Sequence, residues 1–190
     1  MSNVSLLLAV DSDQPSSDAA APAEPLRTGY NMVPPFWLAC FRPGDIVRVQ
    51  VPVQDASGRQ GTLPLDMLWT TRARALDNVR AFRQALRSCP AVMEQSEPWL
   101  QALESDIERA SARFIQLYDA EIQMLVGPED NRPWVDGCLA FVHDIAAARW
   151  TGDGLLHTPQ AAELFDQAQI QVPAWTCDLE WEEALIGVAG

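Results

Sequence analysis

Trp99-Leu100-Gln101-Ala102-Leu103-Glu104-Ser105-Asp106-Ile107-Glu108-Arg109-Ala110-Ser111-Ala112-Arg113-Phe114-Ile115-Gln116-Leu117-Tyr118-Asp119-Ala120-Glu121-Ile122-Gln123-Met124-Leu125 is the stretch on which the fold turns. Trp99, Leu103, Ile107, Ala110, Phe114, Leu117, Ile122 and Leu125 recur at helical spacing, which lays one apolar stripe along a helix. Ser96 stands ahead of the stripe as an N-cap and Gly127-Pro128 closes it. Read this way, the stretch is a single central helix that needs a core along its whole length. The chain is then α+β but mainly helical.

The flanks supply the rest of a bundle of three to four helices. Before the stripe, Thr70 or Thr71 caps a helix whose Leu76, Val79, Phe82 and Leu86 share one face, with Arg72, Arg80, Arg83 and Arg87 largely opposite. Cys89-Pro90 ends it. After the stripe, a helix from about Pro133 to Trp150 presents Trp134, Cys138, Phe141, Val142 and Ile145. Gly152-Asp153-Gly154 turns the chain, and Thr158-Pro159 opens a short helix carrying Leu164, Phe165 and Ala168.

The first seventy or so residues carry a small antiparallel sheet. Val4–Val10 is a short apolar run suited to a buried strand. Residues 11–28 are rich in Pro, Ala, Ser and Asp and poor in bulky apolar groups, which reads as a mobile loop. Pro34-Pro35 opens Phe36–Phe41, a short helix or a buried strand, the helix being preferred. Ile46–Val53 alternates strictly, with Val47, Val49, Val51 and Val53 on one face and Pro52 marking an edge. A turn at 55–59 returns the chain along Gln60–Leu65. The 190 residues make one domain, spanning 1–190.

Charge divides the chain. Residues 1–89 hold 8 acidic and 9 basic side chains, whereas residues 90–190 hold 18 acidic ones against Arg109, Arg113, Arg132 and Arg149. The second half therefore carries −14 of a net −13. Such a field repels nucleic-acid phosphate and anionic lipid and steers basic partners inward, so neither nucleic acid nor membrane is expected as a partner. The tail 172–190 combines Trp175 and Trp181 with Asp178, Glu180, Glu182 and Glu183. Tryptophan supplies desolvated area and the carboxylates supply steering, and these six residues are the candidate partner-binding set. The alternative is a tail that packs its tryptophans on the core and leaves its acids in water.

Catalytic chemistry finds little footing. All 13 cations are arginine, which removes lysine Schiff-base, general-base and phosphate-loop chemistry. Cys40, Cys89, Cys138 and Cys177 are scattered among apolar neighbours, as reduced buried thiols of a cytoplasmic protein would be. His143 stands beside Asp144 on a helix, but adjacent helical residues point about 100° apart, and His157 precedes a helix start. Glu104, Glu108, Asp119 and Glu121 read as a solvated helix face, and Asp11-Ser12-Asp13 lacks the glycine and distal glutamate of a calcium loop. No catalytic residue, metal or cofactor is expected. The arginine stripe is expected to pair with the acidic half, to be solvated, or to meet an acidic patch on a partner. No segment has transmembrane length, and no basic residue precedes Arg27 to start a signal peptide.

The strand 4–10, the polar loop and Gly29-Tyr30-Asn31-Met32-Val33-Pro34-Pro35-Phe36-Trp37-Leu38-Ala39-Cys40-Phe41 together resemble the start of a group of small acidic bacterial proteins. Some proteins of that type are similar to immunity proteins encoded beside polymorphic or type VI-secreted toxins. The resemblance spans about the first forty residues. It implies a non-enzymatic cytoplasmic protein that neutralises a cognate toxin or effector by occluding its active site. It supplies no catalytic residues. The other readings are an adaptor or chaperone for a secreted effector, and an enzyme without a recognisable motif.

Overall fold

A five-stranded antiparallel sheet in the order β2-β1-β5-β4-β3 organises the computed structural model, which describes residues 3–17, 22–30, 33–54, 57–87, 90–126 and 131–147. Its strands are β1 (Val4–Val10), β2 (Glu24–Tyr30), β3 (Ile46–Gln54), β4 (Gln60–Thr71) and β5 (Phe114–Tyr118). The helices are α1 (Arg72–Leu86), α2 (Pro90–Arg109), α3 (Ala120–Val126) and α4 (Asn131–Ala147). The α+β class stands, but the chain is not mainly helical and the sheet is not confined to the first seventy residues.

The correction comes from the decisive stretch. α2 ends at Arg109, and the chain re-forms as β5 in the middle of the sheet, paired with β1 on one side and β4 on the other. Ile115 and Leu117 face the helices and are fully buried, while Phe114, Gln116 and Tyr118 alternate onto the opposite face. Phe114 and Leu117, neighbours on a helical stripe, therefore lie on opposite sides of the sheet. A central strand covered on both faces reads as an almost continuous apolar run, which periodicity alone does not separate from a helix. Two ladders of backbone hydrogen bonds decide it.

Ser96 is not a cap. It lies buried inside α2, which starts earlier at Pro90, where the fixed φ and missing donor suit a first turn. Residues 24–28, read by composition as part of a mobile loop, form most of β2, with Thr28 opposite Leu6 and Pro25 opposite Leu8. An edge strand needs less apolar area than a central one, and its ladder with β1 offsets much of the cost of ordering it. The preceding residues are held as well: Gln116 Oε1 accepts from Ser16 N at 2.8 Å and its Nε2 donates to Ser16 O at 2.7 Å.

Other expectations hold. β1 spans Val4–Val10. β3 is an edge strand with Pro52 in it, and its hairpin to β4 turns through Gly58 at φ 84°, a conformation that favours glycine. Pro35–Cys40 is a short 3-10 helix. Thr71 caps α1 by accepting from Arg74 N at 3.2 Å, and Val79, Phe82 and Leu86 are buried. The core joins the Leu7, Ala9, Leu68, Ile115 and Leu117 face to α1, α2, α4 and the 3-10 helix, where Phe36 meets Phe82 edge-on at 5.3 Å. The α4 face differs from the expected one: the buried line is Val135, Leu139 and Val142, and Trp134 and Cys138 are only partly buried on its flank.

Candidate functional site

Three of the four arginines of the stripe, Arg72, Arg80 and Arg83, are engaged internally, while Arg87 is exposed. α1 and α2 lie side by side, and Arg83 donates from Nε to Glu97 at 2.9 Å, again to Glu97 through Nη2, and to Glu104 at 3.1 Å. Arg80 reaches Glu104 at 3.6 Å and also Glu108. Arg72 donates to the Ala110 carbonyl at the end of α2. Asp106 takes both Arg27 and Arg109. These contacts raise the pKa of Arg83 above that of a free guanidinium, chiefly through Glu97, and hold Glu97 below the ordinary glutamate range, chiefly through Arg83. Glu104 and Glu108, expected on a solvated face, are thus ion-pair partners.

A double-mutant cycle of Arg83→Met and Glu97→Gln, read by urea unfolding, should give a coupling of about 0.5–1.5 kcal/mol that shrinks in high salt. A coupling near zero at low salt would mean that the pair contributes nothing to holding α1 on α2.

Pairing along α2 leaves the acidic excess elsewhere. Beyond α4, residues 148–190 contain seven acidic side chains against Arg149 alone. The six candidate partner-binding residues, Trp175, Asp178, Glu180, Trp181, Glu182 and Glu183, all belong to this stretch and lie outside the described residues. His157, Cys89 and Cys177 also lie outside the described residues. His143 is on α4, whose side chains are described there only for some positions.

A second polar arrangement, invisible to pattern reading, occupies the end of β5. The last β4–β5 pair is Leu68 with Leu117, so β4 runs on past β5 with one edge of its backbone uncovered. Gln123 of α3 fills that place. Its Oε1 accepts from Asp66 N at 3.2 Å and its Nε2 donates to Asp66 O at 2.8 Å, an amide standing in for a strand. The same Nε2 donates to Asp119 Oδ1 at 2.8 Å. The Asp66 carboxylate meets Arg48 of β3 at 3.1 Å, and Glu121 accepts from Val4 N at 2.8 Å.

Asp119 is therefore buried, not solvated, and burial pushes its carboxyl up to about 7 despite the Gln123 hydrogen bond. Burial likewise pushes the nearby Cys138 thiol up to about 11, with the Asp119 charge adding to the effect, and holds the Cys40 thiol far above the usual range. Both thiols stay protonated at neutral pH and are poor nucleophiles. Among the described residues no three His, Cys, Asp or Glu side chains converge on a point that would hold a metal ion. Elsewhere, a small cleft is lined by Arg27, Phe36, Trp37, Trp99, Leu100 and Leu103. No described helix is long and apolar enough to cross a membrane.

The chain matches no protein-family model, no curated protein and no solved structure.

Proposed function

We propose that this chain is a cytoplasmic binding protein of the immunity type, which captures a basic toxin or effector domain and blocks its active site without chemistry of its own. The observation that carries this reading is the placement of charge. The α1 arginines neutralise the α2 carboxylates in place, and an excess of acid remains in residues 148–190, where Trp175 and Trp181 stand among Asp178, Glu180, Glu182 and Glu183. Aromatic anchors ringed by carboxylates suit a basic surface. Arg72, Arg80 and Arg83 of the arginine stripe, the other candidate contact, are already engaged within the fold.

The test pairs the purified chain with the toxin domain encoded beside its gene. Raising ionic strength from low to physiological should slow association about tenfold and change dissociation much less. Changing Asp178, Glu180, Glu182 and Glu183 together to their amides should lower the association rate, while Trp181→Ala should mainly speed release. Unchanged rates in the charge variant would remove the tail from the interface. Absence of binding to any adjacent gene product would remove the immunity reading.

A further inference from the structure

Asp119 sits where β5 gives way to α3, with 2% of its surface exposed. The groups around it are few. From α3 the Gln123 amide donates to it, and Asp119's own backbone N–H assists. From α4 comes the Cys138 thiol, and from β4 comes Asp66, whose carboxylate is turned to Arg48 of β3. Glu121 of α3 is engaged with Val4 N of β1. Among the described residues no cation pairs with Asp119.

A lone carboxylate removed from water and met by a neutral amide is costly, so the closed arrangement favours the protonated acid. The same Gln123 nitrogen that meets Asp119 also holds the Asp66 carbonyl. Ionisation at one end of this bridge therefore acts on the clamp at the other.

We infer that α3 is a proton-operated latch: protonated Asp119 lets Gln123 close over the free end of β4, and loss of that proton lets α3 open. Opening returns Asp119 to water, where its carboxyl ionises at the ordinary 3.8, against about 7 when closed. Between those values the open state holds fewer protons, so opening gains about tenfold for each unit of rising pH. Above the upper value both states are ionised and the balance is flat. The latch tightens in mild acid and is loose from neutrality upward. When open it frees Ile122 and the Asp66 backbone beside Met124 and Leu125, which are exposed already.

The Asp66 amide reports the latch directly, because its N–H is bonded to Gln123 Oε1. Hydrogen exchange of this amide in the full chain, corrected for intrinsic rate and referred to the Ile115 amide in β5, should show protection falling at least tenfold from pH 5 to pH 7 and levelling above. Asp119→Asn keeps the acceptor for Gln123 and removes the charge, so its protection should stay high and independent of pH. Flat protection in the unaltered protein, or an unchanged slope in the variant, overturns the latch. The Asp119 carboxyl carbon, followed by NMR in the unaltered protein, gives a second reading. A midpoint above about pH 6 supports the latch, and a midpoint in the ordinary aspartate range overturns it whether or not the variant folds.

Discussion

Ile115→Ala and Leu117→Ala should each cost about 2–5 kcal/mol in urea unfolding, and Phe114→Ala should cost less, about 1–2 kcal/mol. Ile115 and Leu117 have 0% and 1% of their surface exposed and face the helices from the central strand. Deleting either leaves a cavity between sheet and helices that close packing does not easily fill. Phe114 is only half-buried; it stacks on Trp69 with ring centroids 4.4 Å apart, under the Arg113 guanidinium. A continuous helix through this region reverses the order, because Phe114 and Leu117 would share the buried stripe and Ile115 would turn away from it. A larger loss at Phe114 than at Ile115 would therefore reject the strand. With total stability of about 5–15 kcal/mol for a domain, either core substitution removes a large share of the folding free energy.

The same stretch shows what pattern carries and what it does not. β3 and the face of α1 were legible because each expresses its own period over its own length, β1 because its short apolar run stands alone ahead of a polar stretch, and Thr71 is a cap by local chemistry. β5 was not. It is five residues long, less than two turns of the helical reading imposed on it, and both its faces are covered. Its identity depends on partners more than a hundred residues back and more than forty back, at Leu7 and Leu68. β2 was missed for the opposite reason: Glu24, Pro25 and Thr28 have composition typical of a loop, and only the β1 edge makes them a strand. The buried Gln123, Asp119 and Asp66 set carries no sequence signature, since a polar residue in a helix reads as a solvent contact until the place of its helix is known. Only with β5 in place does the need for it show: β4 outruns β5, and uncovered backbone within a sheet needs a substitute partner.

In mild acid, where α3 is closed, Gln123→Ala should cost about 2–4 kcal/mol, more than most substitutions at polar positions. The side chain is completely buried and serves both main-chain groups of Asp66 as well as the Asp119 carboxyl. Removing it leaves a buried donor and a buried acceptor on β4 without their partner, and each such loss carries a desolvation penalty larger than the net gain from an ordinary hydrogen bond. Gln123→Glu separates hydrogen bonding from volume. Ionised, it still accepts from Asp66 N, but it faces the Asp66 carbonyl and Asp119 with acceptors only. Its loss should therefore exceed that of alanine near pH 8 and shrink in mild acid as the acids of the pair take up protons. Gln101→Ala is the control, since that exposed side chain makes one hydrogen bond among the described residues, to Glu97, and should shift stability by under about 0.5 kcal/mol. If Gln123→Ala were as mild as Gln101→Ala, water would be replacing the amide at the end of β4. α3 would then be a surface turn resting on the sheet and not the element that completes it.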